Sequence, residues 1–218
     1  MKTKVVCMGD SITEGFCLEP EDFYPTKLGI LLGEDYEVVN KGVCCCTVLD
    51  LETEEGVMGL PYARQERCRE ALAEKGDIYV ILLGTNDAQD GMDDVEDIRN
   101  PLLNMISRKS EFVGCYQKIL DSVYQAAPKA QIHIGIPAPV QQCIWRRHQE
   151  KYLQELMPCF EQLLLNNPKV KKIDVHAAFE ALSKEEVLGL YQDDRLHPNA
   201  AGAELIARTV YEAIKNKY

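Results

Sequence analysis

Ile78-Tyr79-Val80-Ile81-Leu82-Leu83 is a nearly continuous apolar run. A strand with one face in water alternates apolar with polar residues, whereas a strand covered on both faces has no need to, so this stretch predicts a central strand of a parallel sheet. Working outward, shorter runs of the same kind fall at Val5 to Met8, Tyr36 to Val39, Gln131 to Ile136 and Val170 to Val175. Between them the apolar residues take helical spacing, at Tyr24 to Leu32, Arg64 to Glu74, Glu111 to Ala126, about Trp145 to Leu165, and Asn199 to Lys215. In the last of these, Leu205, Ile206, Val210 and Ile214 share one face. Strand and helix in alternation predict an α/β fold, a three-layer α/β/α sandwich around a five-stranded parallel sheet.

With 218 residues, 46% of them apolar, the chain suits one domain spanning residues 1–218. Its net charge is −11, and its lysines and arginines are scattered. No basic patch of the kind that binds nucleic acid or an anionic membrane is expected. The sequence shows no apolar span of membrane length, and nothing before Lys4-Val5-Val6-Cys7-Met8 resembles a secretion signal. Nine cysteines, an odd number with no CxxC spacing, favour reduced thiols in a cytoplasmic setting.

In open parallel sheets, ligands bind beyond the carboxyl ends of the strands. Ser11, in Gly9-Asp10-Ser11-Ile12-Thr13, Gly42, in Asn40-Lys41-Gly42, and Asn86, in Gly84-Thr85-Asn86-Asp87, each follow a strand by a few residues and should converge on that edge. Near the end of the chain stands Asp194-Arg195-Leu196-His197-Pro198. A serine hydroxyl is a weak nucleophile at neutral pH and needs a base within hydrogen-bond reach, with a third group to orient that base. Ser11 and His197 can form this pair, and a carboxylate three residues ahead of the histidine can reach the same ring. Asp194 has that spacing; Asp193 is its neighbour and competitor. Taken singly, each segment reads as a turn or a helix lead-in. His176, in Asp174-Val175-His176 after the last strand, is the rival base. His133 falls inside a strand pattern and His148 in a charged helical stretch, and neither has a plausible acid partner nearby.

The four segments, in this order, resemble the block pattern of the GDSL or SGNH hydrolases, whose serine, glycine, asparagine and histidine correspond to Ser11, Gly42, Asn86 and His197. The resemblance implies a flavodoxin-like SGNH fold and a serine esterase working without metal or cofactor. Ser11 would be the nucleophile, His197 the base and Asp194 the orienting acid. The oxyanion hole would be built from the Ser11 and Gly42 N–H groups and the Asn86 amide. Ile136-Pro137-Ala138-Pro139-Val140, with Trp145 shortly after, is similar to the corresponding region of single-domain carbohydrate O-acetylesterases of the sialate type. This implies a small ester as substrate, an acetylated sugar in particular. Two alternatives stand beside it: a lysophospholipase or thioesterase taking longer acyl chains, and a carbohydrate-binding or scaffold protein without catalysis. The chain departs from the pattern at Cys45, where many members carry a further glycine, inside the run Cys44-Cys45-Cys46. Adjacent residues on an extended backbone point apart, so these three thiols are poorly placed to share a metal. Ala88 to Ser110, acidic from Asp90 to Asp97, reads as a loop or lid.

Overall fold

The computed structural model describes residues 2–91, 101–145 and 147–215. Among the described residues, seven strands run in chain order as β1 (Thr3–Gly9), β2 (Tyr36–Gly42), β3 (Glu52–Thr53), β4 (Gly56–Val57), β5 (Ile78–Leu82), β6 (Gln131–Ile136) and β7 (Lys171–Asp174). The helices are α1 (Ser11–Glu14), α2 (Tyr24–Leu32), α3 (Glu66–Ala73), α4 (Phe112–Ala126), α5 (Glu150–Asn166), α6 (Val175–Glu180), α7 (Lys184–Leu188) and α8 (Ala200–Lys215). Five strands form one parallel sheet in the order β2-β1-β5-β6-β7, and β3 and β4 make a separate antiparallel hairpin. The apolar run that predicted the central strand is β5, third of the five and buried at every position.

Side chains alternate between the two faces of a strand, and here each face has its own apolar layer. Val6, Met8, Tyr79, Ile81 and Ile134 pack toward Cys68 of α3, Tyr116 of α4 and Phe160 of α5. Val5, Cys7, Val80, Leu82 and Ile173 pack toward Leu28 of α2, Phe179 of α6 and Ile206 of α8. This is the expected three-layer sandwich. Among the described residues no helix is long and apolar enough to cross a membrane.

Several element boundaries differ from the sequence expectation. β2 runs on to Gly42, because Asn40, Lys41 and Gly42 continue the ladder opposite Cys7, Met8 and Gly9 although their side chains break the apolar pattern. α5 begins at Glu150 rather than near Trp145. The segment before it is held by backbone bonds to distant chain: Gln141 N–H to Arg195 O at 3.1 Å, Ile144 N–H to Asp194 O at 3.1 Å, and Asp90 N–H to Arg147 O at 3.0 Å. The expected loop from Ala88 to Ser110 contains two 3₁₀ segments, Pro101–Leu103 and Met105–Glu111, with Met105 and Ile106 buried. Residues 92–100, which hold most of the acidic stretch and the middle of the expected loop or lid, lie outside the described residues.

Candidate active site

Ser11 is the first residue of α1, directly beyond β1. Asp10 caps this helix through Oδ1, which accepts the Ile12 N–H at 3.0 Å, and Gly15 ends it after one turn with φ +97. At such a helix start the N–H groups have no partner within the helix. Among the described residues nothing accepts the Ser11 N–H.

His197 meets this serine across the sheet edge, its Nε2 2.8 Å from Ser11 Oγ. On the other side of the ring, Nδ1 lies 2.7 Å from Asp194 Oδ2. Asp194 Oδ1 accepts the N–H groups of Leu196 at 2.8 Å and His197 at 2.9 Å, a tight return made possible by Arg195 in the left-handed region at φ +59. Burial works to raise the Asp194 pKa, but the N–H groups of His197 and Leu196 and the His197 ring outweigh it and hold the carboxyl below its ordinary value. An ionised Asp194 fixes Nδ1 of His197 as donor and leaves Nε2 to take the serine proton. Gln192 braces the two loops by donating to Phe16 O at 2.9 Å and Pro198 O at 3.1 Å. The cap of α8 is Asn199, whose Oδ1 accepts from Ala201 and Gly202, and Pro198 lies just ahead of it.

Two rings enclose His197. Phe16 lies 4.5 Å from it between centroids, tilted 36°, and Trp145 stands edge-on at 5.9 Å. Trp145 follows the Pro-containing segment after β6 that the sequence singles out, whereas Phe16 lies outside every motif and nothing in the sequence points to its ring.

Asn86 reaches the same edge, buried at 8% exposure. Its Nδ2 donates to Cys46 O at 3.0 Å, which leaves a second hydrogen on that nitrogen. Its neighbour Asp87, fully buried, accepts the N–H groups of Val48 and Leu49 at 2.8 to 3.0 Å. Burial pushes the Asp87 carboxyl up to about 7 against the pull of those N–H groups. The loop after β5 is therefore fastened to the loop after β2 at two adjacent residues.

Gly42 is brought to this edge but not as a free donor. Its N–H donates to Asn40 Oδ1 at 2.9 Å, and Asn40 Nδ2 donates to Thr13 O at 2.7 Å. A Cβ at position 42 would stand 2.2 Å from the Glu14 nitrogen and 2.6 Å from the Thr13 carbonyl carbon. Glycine is needed here so that β2 and α1 can touch, not for approach to a substrate. The expectation that Gly42 supplies an oxyanion donor meets this geometry as a correction. The turn that follows supplies another candidate. Cys46 N–H closes it on Val43 O at 3.3 Å, and Cys45 sits in it with φ +62, a conformation that favours glycine. Cys44 N–H is held by Glu14 Oε2 at 2.7 Å and Cys46 O by Asn86, so Cys45 lies between two anchored residues. Nothing among the described residues accepts its N–H.

The other histidines are accounted for separately. His176 Nε2 lies 2.9 Å from Glu150 Oε1 and its Nδ1 3.3 Å from Glu180 Oε2. His133 is buried in β6, and neither ring nitrogen has a hydrogen-bond partner among the described residues. His148, which sequence placed in a helix, sits in the loop before α5 with Nε2 3.4 Å from Asn86 Oδ1. Among the described residues no group of three or more His, Cys, Asp and Glu could hold a metal ion.

An α/β/α sandwich that presents a hydrogen-bonded Ser–His–Asp chain at the carboxyl edge of its sheet has the architecture of a serine-type ester hydrolase. The chain belongs to the GDSL-like lipase/acylhydrolase family, whose model matches residues 7–205. It is 30% identical over 225 residues to an acetylxylan esterase from Xylanibacter ruminicola, a match that takes in 97% of this chain and 43% of that protein. The chain thus spans less than half the length of this relative. Among solved structures, it is similar to a carbohydrate acetylesterase family member from Sinorhizobium meliloti, with a TM-score of 0.71, 18% identity, and 99% and 98% of the two chains covered. It is also similar to a variant of an acetyl-xylooligosaccharide esterase from Geobacillus stearmophilus, with a TM-score of 0.68, 20% identity, and 99% and 95% covered. At these identities the likeness is one of fold.

Proposed function

We propose that the protein is a serine esterase that removes short acyl groups, acetyl above all, from a carbohydrate. The observation that carries this reading is the unbroken chain from Ser11 Oγ through His197, at 2.8 Å and 2.7 Å, to Asp194. In the first step Ser11 Oγ attacks the ester carbonyl while its proton passes to His197 Nε2. The negative charge on the carbonyl oxygen faces the Ser11 N–H, the Cys45 N–H and the second Nδ2 hydrogen of Asn86. As the tetrahedral intermediate collapses, the bond to the alcohol breaks, and His197 returns the proton to the leaving oxygen. Water then attacks the acyl-serine, giving its proton to His197, and as this second intermediate collapses His197 returns the proton to Ser11 Oγ, releasing the acid and restoring Ser11. Asp194 holds the imidazolium throughout.

The surroundings support a small acyl group. Phe16 and Trp145 close on the histidine from two sides and narrow the space beside Ser11. Nearby, a cleft of about 600 Å³ whose lining includes Val140, Gln142, His148, Gln149, Glu150 and Lys151 offers apolar surface and both neutral and charged hydrogen-bonding groups to the alcohol half. The carbohydrate part of the reading is supported by the acetylxylan esterase to which the chain is related.

Hydrolysis of p-nitrophenyl acetate, butyrate and octanoate, with chelator present throughout, tests the proposal. Acetate should turn over fastest, and Ser11→Ala should lower kcat by roughly 10⁴-fold or more. Equal rates in both proteins would remove Ser11 as nucleophile. A preference for octanoate would favour a lysophospholipase or thioesterase. No turnover of any ester, or of acetylated xylo-oligosaccharide, would favour a carbohydrate-binding protein without catalysis.

A further inference from the structure

His148 takes no part in the scheme above, yet it is buried at 4% exposure beside a residue that does. Its place is fixed by the backbone: His148 pairs with Gln89 in an isolated antiparallel bridge, and its N–H donates to Trp145 O at 3.0 Å. The side-chain contact has a definite polarity. Cys46 O can only accept, so the Asn86 atom 3.0 Å from it is Nδ2, and the atom facing His148 is Oδ1. An amide oxygen facing Nε2 requires that Nε2 carry the proton. Burial, with Arg147 and His197 nearby, drives the His148 pKa down to about 3 against the opposing charge of Asp194, so the ring is neutral near pH 7. Nδ1 then carries the lone pair, and it has no hydrogen-bond partner among the described residues.

We infer that His148 is a positioning residue: its Nε2–H and the Cys46 carbonyl grip the two ends of the Asn86 amide and aim its remaining hydrogen at the oxyanion. The inference rests on the esterase reading. The contact is long at 3.4 Å, as catalytic hydrogen bonds in unliganded sites commonly are before they tighten. When the oxyanion draws on the Nδ2 hydrogen, the amide polarises and Oδ1 becomes the better acceptor, so the His148 bond strengthens in the transition state. An interaction that grows only there raises kcat and leaves substrate binding nearly unchanged. A neutral ring serves this purpose, because a charged imidazolium would sit beside the imidazolium that forms on His197.

The test is a double-mutant cycle on p-nitrophenyl acetate. Removing an oxyanion donor outright costs about 100-fold or more in kcat; misaiming one should cost less, so His148→Phe should lower kcat about tenfold with KM nearly unchanged. His148→Gln, whose side chain keeps an N–H donor, should recover part of the loss. In an Asn86→Ala background, His148→Phe should have no further effect, since there is no amide left to aim. An equal loss in both backgrounds would overturn the inference. A second measurement does not depend on activity or on the variant folding: the ¹⁵N spectrum of the His148 ring in the wild-type protein near pH 7. A neutral ring protonated at Nε2 supports the inference, and one protonated at Nδ1, or at both nitrogens, overturns it. If the wild type cleaves no ester, the proposed function fails while the ring spectrum still decides the tautomer.

Discussion

Phe16 lies against His197, ring centroids 4.5 Å apart, although 180 residues separate the two in sequence. Gln192 secures the arrangement by donating to the Phe16 carbonyl at 2.9 Å. An aromatic face beside an imidazole that becomes positively charged during attack contributes about 0.5–1 kcal/mol, and more when water is excluded. Phe16→Ala should therefore lower kcat for p-nitrophenyl acetate by about threefold to tenfold. Phe16→Tyr, which keeps the ring, should stay close to wild type. A Phe16→Ala enzyme with unchanged kcat would show that the ring is only a wall.

Gly42→Ala separates a packing role from a substrate-contact role at the same position. The new Cβ would meet backbone atoms of Thr13 and Glu14 at 2.2 to 2.7 Å, and backbone cannot rotate away as a side chain can. Overpacking of this kind costs about 1–3 kcal/mol, and for a protein of this size each kcal/mol lowers Tm by roughly 2–4 °C. A clear drop in Tm together with reduced activity is expected, because α1 carries Ser11. Loss of activity at unchanged Tm would instead restore Gly42 as a residue that faces the substrate.

The layout of the sheet was legible because its signal is local: β5 is apolar at every position, and buried strands need no alternation. The Ser11, Asp194 and His197 segments were legible for a related reason, since each keeps its chemistry within a few adjacent residues. What escaped depends on contacts between distant segments. Nothing in Thr13-Glu14-Gly15-Phe16 signals that its ring will cover His197. The start of α5 is set by bonds to Asp194 and Arg195, so periodicity placed it too early. His148 looked like one polar residue in a charged helix until the loop folded it onto Asn86. At Gly42 the resemblance implied an oxyanion donor, whereas the missing Cβ makes room for the backbone of α1, a contact that no local pattern signals.

His133 should be a stability defect. Both ring nitrogens are buried in β6 without a partner among the described residues, and burial, with Lys171 adding to it, lowers the pKa to about 4. Leaving buried polar groups unpaired costs about 1–3 kcal/mol, so His133→Leu should stabilise the protein by about that much near pH 7.5. The gain should also depend on pH. Between about 6.5, the ordinary histidine value, and 4, the unfolded chain holds a proton at this ring that the folded chain lacks, so the wild type loses stability as pH falls through that window. The slope for one imidazole is about 1.4 kcal/mol per pH unit. Asp10 and Asp87, both pushed up to about 7 chiefly by burial, act in the opposite direction, so the difference between variant and wild type is the quantity to follow. Urea denaturation at several pH values should show the advantage of His133→Leu growing as pH drops from 6.5. A constant or shrinking advantage would mean that the ring finds a partner when the protein folds.

His176 and His197 should separate cleanly when each is replaced by alanine. His197→Ala should lose about 10³-fold or more of esterase activity, as removal of a triad base does. His176→Ala should keep most of it, because that ring is engaged by Glu150 and Glu180 and makes no contact with Ser11. The role of His176 shows in stability instead. Burial works to lower its pKa, but Glu150 and Glu180 on either side outweigh burial and raise it above 6.5. Here the folded state binds the proton more tightly than the unfolded state. The stabilising contribution is therefore complete below about pH 6.5 and disappears as pH rises through the folded pKa. The cost of His176→Ala, measured by urea midpoint, should be greater at pH 6 than at pH 9. Glu150 also accepts the Val140 N–H at 2.7 Å, at the start of the loop that brings Trp145 to His197. Glu150→Ala should consequently reduce kcat where His176→Ala does not. Equal kcat losses in the two variants would show that the charge pair itself, and not the bond from Val140, holds that loop in place.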